Sequence, residues 1–539
     1  MQIPINKLPG ISPLFSDYLY DYEKVAEFFN GDFRKIESFR NISEQVSRRN
    51  LPRKKLVQIL DAQNQKWGCG QRTVENIQKL GENQTCAVVT GQQVGLFSGP
   101  LYTIYKSITA IKLAEDLSKK LGNVLVPVFW LATDDHDFAE INHISLFNKS
   151  NEIETLKYDD HSKESKLPAS EIRLTEKITG FIGQFAATTH DTDFKEKIIH
   201  HLEKAYQPGF TISHAFALWM TRLFKDFGLI LIDASAREFK EMGKNIFLQE
   251  ISENSPSTNR ALETSERLKQ FNYSIQIELN QGILNLFYAS PERQSIQLDG
   301  DNFTFKDFQQ TYPKQSLLEL VKHEPHKFSP NVLLRPLFQD AILPTVAYVG
   351  GPGEIAYFAQ LKYVYEHFQI PMPVLYPRKM VTILENKIEK ILRKYEMDVL
   401  AIIQNYDKKI NEIAKQQVPE VLYQLLSNVS QHMNKDFQAI RKEIFLFDPT
   451  LEKTTEITYG KLNQQIQFLE KKILQAARRR SEIGLKQLQN AKLNIHPQNK
   501  FQERMFNITP FLIKYDYGFI ALLYEMIEIR QYEHQVISI

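Results

Sequence analysis

The stretch that decides the fold is residues 86–143, which begins CAVVTGQQVGLFSGPLYTIYKSITAIKLAEDL. Its first segment, CAVVT (86–90), is short, apolar and β-branched, as is typical of a strand buried on both faces. Apolar residues then recur at helical spacing from Leu101 until Gly122 ends the helix. A second apolar strand, NVLVPVFWLAT (123–133), completes a βαβ unit. This unit predicts a parallel sheet that binds ligands at the carboxyl ends of its strands.

The same α/β rhythm returns further along the chain. Apolar strands are predicted at LILIDAS (229–235), TVAYV (345–349) and MPVLYP (372–377). Between them, 144–210 is polar and irregular, whereas 273–310 alternates as antiparallel strands do. The predicted divisions are N-terminal helices with the first half of a Rossmann-like core (1–143), a connecting insertion (144–210), core continued (211–272), a small β-rich insertion (273–330), the last part of the core (331–384), an α-helical coiled coil (385–493) and a tail that ends in an apolar helix and packs on the core (494–539).

The segment 385–493 has a different pattern. Apolar residues step by four and three from Ile388 to Ile413, and a later helix at 456–492 repeats this seam. We therefore expect an antiparallel helical coiled coil. It could fold back within one chain or pair two chains, but its length and the polar Arg480 and Gln487 at core positions favour a homodimer.

Composition restricts the class of protein. With 539 residues the chain should form more than one domain, and its net charge of +2 argues against a dominant nucleic-acid or membrane surface. The N-terminus lacks a signal-peptide pattern, no apolar run is long enough to span a membrane, and there are only two cysteines. We expect a cytoplasmic protein that binds neither nucleic acid nor membrane.

Two glycine-rich turns are candidates for anion binding, TGQQVGLFSGP (90–100) and GGPGE (350–354). Backbone N–H groups in such a turn, placed before a helix, attract anions. The alternative is a tight loop that needs glycine for steric reasons alone. The predicted nucleotide- or anion-binding residues are Gly91, Gly95, Gly99, Gly350, Gly351 and Gly353.

An acidic loop, TDDHDFAEINH (133–143), follows the second strand. Carboxylates around an imidazole can act as a general base, accept hydrogen bonds from sugar hydroxyls, or bind a divalent metal. The alternative is a solvated turn in which His143 caps a helix. Because no cysteine lies nearby, a zinc site is not favoured and no metal ligand is assigned.

Arginine and lysine side chains suggest an anionic substrate. Arg335 and Arg378 accompany the second glycine-rich turn, and a guanidinium can hold a carboxylate or phosphate through two parallel hydrogen bonds. For either arginine a structural salt bridge is the alternative. The predicted substrate-binding residues are Gln92, Gln93, Lys106, Asn142, His143, Arg335, Glu354 and Arg378.

Four long segments resemble the family of bacillithiol biosynthesis cysteine-adding enzymes. They are TGQQVGLFSGPLYTIYKSITAIKLA, FWLATDDHDFAEINH, VLLRPLFQDAILPTVAYVGGPGEIAYFAQLK and PQNKFQERMFNITPFL, in order along nearly the whole chain. The resemblance implies a ligase that joins the carboxyl of L-cysteine to the amine of glucosaminyl-malate. It also implies a Rossmann-like core, similar to nucleotidyltransferases and class I synthetases, with insertions and a C-terminal coiled coil.

The resemblance suggests roles for the candidate residues. The two malyl carboxylates would bind Arg335, Arg378 and Lys106, and the sugar hydroxyls would bind Asp135, Asp137 and Gln93. His136 would take the proton from the attacking amine, so the predicted catalytic residues are His136, Asp135 and Asp137.

The activating cosubstrate is less well defined. ATP with Mg²⁺ is the expected activator, and no tightly bound cofactor is expected. However, synthetase-like proteins carry a His-x-Gly-His motif after their first strand, and here Thr90-Gly91-Gln92-Gln93 stands in its place. Of their second motif, Lys-Met-Ser-Lys-Ser after the last strand, only Lys379-Met380 is present. Another activated donor is therefore an alternative, as are a nucleotide-dependent transferase acting on another anionic sugar or acid, and a non-enzymatic coiled-coil scaffold.

Overall fold

The structure, a computed structural model, describes residues 1–134, 137–159, 167–289, 293–300, 302–305, 310–416, 418–480 and 482–539. The chain divides into an α/β unit, Met1–Thr382 with Phe501–Ile537, and a helical unit, Ile383–Lys500 with Ser538–Ile539. Within the described ranges, no helix combines the length and apolar character needed to cross a membrane.

The helices of the α/β unit are α1 (Pro13–Tyr20), α2 (Ile36–Ser47), α3 (Arg53–Lys66), α4 (Gln71–Lys79), α5 (Tyr102–Leu121), α6 (Phe138–Ile141), α7 (Lys177–Thr188), α8 (Lys195–Ala205), α9 (Ile212–Leu223), α10 (Arg237–Ser252), α11 (Pro256–Gln270), α12 (Lys314–His323), α13 (Arg335–Ile342), α14 (Pro352–Phe358), α15 (Lys362–His367), α21 (Gln502–Met505), α22 (Thr509–Tyr515) and α23 (Gly518–Met526). Those of the helical unit are α16 (Asn386–Lys394), α17 (Val399–Gln416), α18 (Glu420–Phe447), α19 (Glu452–Arg480) and α20 (Glu482–Ile495). The strands are β1 (Gln2–Ile3), β2 (Cys86–Gln93), β3 (Leu125–Ala132), β4 (His143–Phe147), β5 (Ile153–Lys157), β6 (Ile230–Asp233), β7 (Ile283–Ala289), β8 (Arg293–Asp299), β9 (Asn302–Phe305), β10 (Gln310–Pro313), β11 (Phe328–Pro330), β12 (Thr345–Gly350), β13 (Val374–Pro377), β14 (Val381–Leu384) and β15 (His534–Ser538).

A five-stranded parallel sheet forms the core of the α/β unit. Its order is β13-β12-β2-β3-β6. Along the chain, β2, β3 and β6 are added toward one edge of the sheet, and β12 and β13 are then added toward the other edge. The order therefore reverses between β2 and β12, and open parallel sheets bind ligands at such a switch point. The predicted Rossmann-like fold is confirmed.

The βαβ unit agrees with its sequence pattern. Strands β2 and β3 are almost wholly buried, and α5 connects them. Gly122 ends α5 in the left-handed conformation, with φ of 74°, which glycine adopts without a steric penalty.

The first insertion is more regular than predicted. Strands β4 and β5 form a two-stranded sheet outside the main sheet, and helices α7 and α8 follow them. The prediction of irregular structure is wrong here because Gly180 and Gly183, which disfavour a helix, lie within an apolar stripe of helical spacing. In α7 this stripe is formed by the buried side chains Ile178, Phe181, Ile182 and Phe185.

The second insertion is a five-stranded antiparallel sheet, as its alternating pattern predicted. Its order is β10-β9-β8-β7-β11. Strand β11 follows the alternating stretch 273–310 but lies inside the predicted insertion 273–330. Buried side chains alternate with half-exposed ones along β8 and β9, which is the pattern of strands with one face on a core.

The helical unit contains the predicted antiparallel coiled coil. Helices α18 and α19 run in opposite directions, because the ring of Phe437 lies 5.3 Å from that of Tyr459 while Arg441 forms 2.7 Å ion pairs with both Glu452 and Glu456. The side chain of Arg480 lies outside the described residues.

The first seam of this unit is interrupted. One helix was expected from Ile388 to Ile413, but α16 ends at Lys394 and α17 begins at Val399. Glu396 adopts a φ of 51°, and the Met397 N–H donates to Leu392 O over 3.0 Å, which closes the helix. Heptad spacing alone does not show such a break.

The C-terminal tail also differs from its prediction. The apolar helix α23 is present, and it buries Phe519, Ile520 and Leu523. It is followed by β15, which pairs antiparallel with β1 through Gln2 and Gln535. The chain therefore ends on a strand rather than on the predicted helix.

Candidate functional site

A cleft of about 350 Å³ opens at the switch point, at the carboxyl ends of β2, β3, β12 and β13. It brings together residues from both glycine-rich turns and both predicted arginines. Of the predicted site residues, it is lined by Gly91, Gln92, Gln93, Lys106, Arg335, Gly351, Gly353, Glu354 and Arg378.

Lys106 lies at the centre of a hydrogen-bonded network on one wall. Its buried ammonium donates to Gly91 O and Gln92 Oε1, each over 2.9 Å, and forms a 2.5 Å ion pair with Glu354 Oε2. Burial lowers the pKa of Lys106, and the Glu354 carboxylate opposes this shift. Since three acceptors surround it, the ammonium is held in one place before any ligand binds.

Glu354 connects this network to the second glycine-rich turn. Its carboxylate accepts hydrogen bonds from the Gly351 N–H and the Tyr348 hydroxyl, each over 2.8 Å. Burial would raise the pKa of Glu354, but the Lys106 ammonium and these donors hold it below its usual value. Glu354 therefore acts as a structural counter-charge rather than as a free ligand group.

The glycine-rich turns present fewer unbonded N–H groups to an anion than predicted, because three of these groups are bonded within the protein. The Gly95 N–H donates to Gln93 O, the Gly99 N–H donates to Leu96 O, and the Gly351 N–H is bonded to Glu354. At position 91 glycine is required for a steric reason instead, because a Cβ there would lie 2.9 Å from Trp130 O. Of these four glycines, Gly91 and Gly351 line the cleft, where charged side chains supply the anion-binding potential.

The two predicted arginines differ in their surroundings. Arg378 forms a 2.7 Å ion pair with Glu503, and both side chains are buried. Arg335 instead donates to two neutral groups, Gln339 Oε1 over 3.2 Å and the Tyr357 hydroxyl over 3.1 Å. Among the described residues it forms no ion pair, so its charge is available to an anion in the cleft.

The acidic loop is only partly described. Asp135 and His136, two of the predicted catalytic residues, lie outside the described residues. Asp134 forms a 2.7 Å ion pair with Lys240, and Asp137 caps α6 by accepting a hydrogen bond from the Glu140 N–H over 3.3 Å.

Several predicted site residues lie away from the cleft. Asn142 is buried and donates to Tyr158 O over 3.3 Å, while the exposed His143 places Nδ1 3.1 Å from Ala139 O, in the capping position named above as the alternative. Gly350 O accepts a hydrogen bond from the Arg378 N–H over 2.8 Å. The structure brings none of Gly95, Gly99, Asp137, Asn142, His143 and Gly350 into the cleft lining.

Sequence reasoning missed six residues that line the cleft. Their aromatic members sit in segments with apolar periodicity, where the pattern indicates a core and not a site. The charged member lies in the tail, far from every other site residue in sequence. The six are Tyr102, Trp130, Ala132, Tyr348, Tyr357 and Arg504.

Lys379, which with Met380 matches part of the second synthetase motif, is buried and does not line the cleft. Its ammonium donates to Gln531 O over 2.6 Å, and burial lowers its pKa to about 8. Across the described ranges, no group of three or more His, Cys, Asp or Glu side chains is arranged to hold a metal ion.

Comparison with known proteins covers the chain from end to end. The model described as "Bacillithiol biosynthesis BshC, N-terminal Rossmann-like domain" matches residues 1–379, and "Bacillithiol biosynthesis BshC, C-terminal coiled-coil domain" matches 381–539. A solved structure titled as a putative arginyl-tRNA synthetase from Campylobacter jejuni covers 89% of this chain and 98% of its own, at 10% identity and a TM-score of 0.23, which is too low to support an argument.

Curated relatives match over the same length. Three proteins named "Putative cysteine ligase BshC" come from Salinibacter ruber (32% identical, covering 99% of this chain and 98% of the relative), Chlorobaculum tepidum (34%, 96% and 95%) and Chloroherpeton thalassium (31%, 99% and 99%). Since both domain models and these full-length relatives agree, the chain belongs to the BshC family of bacillithiol biosynthesis.

Proposed function

We propose that this protein is a cysteine ligase that joins the carboxyl of L-cysteine to the amine of glucosaminyl-malate. Relatives of matching length carry the name of a cysteine ligase. The observation that carries the proposal is Arg335, a half-buried guanidinium at the switch point that has only neutral partners among the described residues. A carboxylate of the malyl group would supply the missing negative charge.

The reaction requires a nucleophilic amine and an activated acid. The amine nitrogen attacks the carbonyl carbon of an activated cysteinyl group, an amide bond forms, and the activating group leaves with its bonding electron pair. The attack places negative charge on the carbonyl oxygen, and a hydrogen-bond donor or positive charge beside that oxygen would favour it. His136 is our candidate for the base that takes the amine proton, and ligation undiminished by His136→Asn would disprove this role.

ATP with Mg²⁺ is our proposed activator, because a carboxylate and an amine do not condense unaided in water. ATP would convert the cysteine carboxyl into a group that an amine can displace. Within the cleft, the N–H of Gly351 is not available to its phosphates, since it already donates to Glu354, and Gly95 and Gly99 do not line the cleft.

The ligase proposal can be tested by mass spectrometry. Purified protein is incubated with glucosaminyl-malate, L-cysteine, ATP and Mg²⁺, beside a reaction without ATP and one with Arg335→Gln. Bacillithiol should form only with ATP, and the release of AMP or ADP would identify the leaving group. Product in the reaction without ATP would disprove ATP activation. No product either with or without ATP would contradict the ligase proposal.

We further propose that the protein is a cytoplasmic homodimer associated through its coiled coil. In support, helix α18 exposes Val421, Leu425 and Val429 at helical spacing, with exposed fractions of 65%, 55% and 53%. Gln487 no longer argues for a second chain, because its Oε1 accepts hydrogen bonds from Lys394 and Tyr395 within the same unit. Cell fractionation tests the location, and sedimentation tests the dimer.

A further inference from the structure

A short segment after the helical unit, Phe501–Thr509, contacts three parts of the cleft wall; we call it the return segment. Its Glu503 pairs with Arg378. Its Arg504 lines the cleft itself. The Leu101 N–H, just before α5, donates to Phe506 O over 2.8 Å. The cleft is therefore completed by residues that lie far along the chain from β2 and α5.

Asn507 fixes the first glycine-rich turn. Its side-chain amide donates to three carbonyl oxygens, those of Leu96 over 3.3 Å, Phe97 over 2.9 Å and Gly99 over 2.7 Å. Phe97 and Ser98 have φ values of 53° and 79°, which residues other than glycine rarely adopt. Since this turn leads into α5, the return segment helps to place Tyr102 and Lys106.

The charges that line the cleft can be matched in pairs. Lys106 is balanced by Glu354, and Arg378 is balanced by Glu503. Arg335 and Arg504 are left over, because neither forms an ion pair within the described part of the chain. Arg504 is exposed, so it is free to reach a ligand.

We propose that Arg335 and Arg504 together bind the two carboxylates of a dicarboxylate, with Arg504 selecting for the second carboxylate. The inference rests on the proposed function, in which the malyl end of the substrate is such a dicarboxylate. The two guanidiniums come from separate elements, α13 and α21, and each planar fork matches one carboxylate. Gly351, which lines the cleft, adds no N–H donor for a phosphate, because its N–H is already bonded to Glu354.

Arg504→Gln and a matched control, Arg40→Gln, test this inference. Arg40 is an exposed arginine on α2 that does not line the cleft. Calorimetric titrations of wild type and both variants would use malate, lactate, which lacks the second carboxylate, and inorganic phosphate. Arg504→Gln should weaken malate binding by about tenfold to a hundredfold and leave lactate binding unchanged, since it removes one charge-assisted pair of hydrogen bonds. Arg40→Gln should bind all three ligands as wild type does.

Three results would overturn the inference: equal malate affinity in wild type and Arg504→Gln, no malate binding by wild type, or phosphate binding more tightly than malate. If Arg504→Gln does not fold, Arg504→Lys replaces it, and a malate affinity equal to wild type would count against the guanidinium fork. The KM for glucosaminyl-malate separates the two proposals. Ligation with an unchanged KM in Arg504→Gln rejects only the role of Arg504, whereas Arg504-dependent malate binding without ligation rejects only the ligase.

Discussion

The Lys106 ammonium and the Glu354 carboxylate depend on each other for their charged states. Replacing Glu354 by Gln keeps the size of the side chain but leaves a buried cation without its counter-charge. We expect the free energy of unfolding to fall by about 3 kcal/mol, as measured by urea titration at neutral pH. Glu266→Gln is the control, because its pair with Lys269 is exposed and should contribute under about 1 kcal/mol. Equal effects of both substitutions would contradict a structural role for the Lys106–Glu354 pair.

His534 should make stability depend on pH. Burial lowers the pKa of this wholly buried imidazole from 6.5 to about 4, so the unfolded chain takes up a proton between these values while the folded protein does not. Stability should therefore fall as the pH is lowered from 6.5 to 4, by a total on the order of 3 kcal/mol. Thermal unfolding measured across this range tests the slope.

Replacing His534 by Gln provides the control for this slope. The Gln side chain can still hydrogen-bond to Thr382, which lies 2.8 Å from His534 Nε2, but it does not titrate. The variant should lose the part of the pH dependence between 6.5 and 4 that His534 contributes. A variant with the full wild-type slope would show that other groups are responsible.

Strand β2 can pair with β3 at the cleft only because residue 91 lacks a side chain. In Gly91→Ala the new Cβ would lie 2.9 Å from Trp130 O, a backbone atom that cannot rotate away. We expect a loss of stability of about 1–3 kcal/mol and weaker malate binding, measured by urea titration and calorimetry. The control for stability is Gly353→Ala, where a Cβ would meet no atom of another part of the chain within 4 Å and alanine favours helix α14. Malate binding is compared with wild type alone, because Gly353 also lines the cleft. A Gly91→Ala protein as stable as Gly353→Ala would refute this steric account.

Elements with strong local patterns could be predicted from the sequence, and elements fixed by distant contacts could not. Strand β2 and helix α5 are marked by apolar runs and by Gly122, all within one short stretch. The break at Glu396 leaves the heptad spacing intact, so the pattern gives no sign of it. The stripe of α7 was obscured by Gly180 and Gly183, because glycine disfavours a helix.

The candidate site shows the same limit for a different reason. Arg335, Lys106 and Glu354 could be named because charged residues beside glycine-rich turns suggest anion binding. Whether an N–H group or a charge is already occupied depends on tertiary contacts, as for Gly351 with Glu354 and Arg378 with Glu503. Sequence therefore gives the residue types of a site more readily than it gives the charges that remain available.

At the scale of the whole molecule, the cleft is formed by residues from both chain segments of the α/β unit, Met1–Thr382 and Phe501–Ile537. The chain leaves this unit after Thr382 and re-enters it at Phe501, where the return segment begins. The Asn507 side chain then bonds to residues about four hundred positions earlier in the chain, at Gly99. Since no local pattern links positions so distant, Arg504 could be identified as a cleft residue only from the structure.

The exposed apolar face of α18 predicts the state of association. Val421, Leu425 and Val429 share one face and are more than half exposed, a costly arrangement for a chain that stays monomeric. We expect sedimentation to give twice the chain mass of 62.8 kDa, and Leu425→Glu to shift the protein toward the monomer. In the Leu425→Glu dimer the new carboxylate of each chain would be buried without a partner, which costs free energy and favours the monomer. Ser427→Glu, an exposed residue on the opposite face of the same helix, should remain dimeric. A wild-type protein that sediments as a monomer at all concentrations tested would refute the dimer, whereas dissociation by both variants would move the interface to another face of the coiled coil.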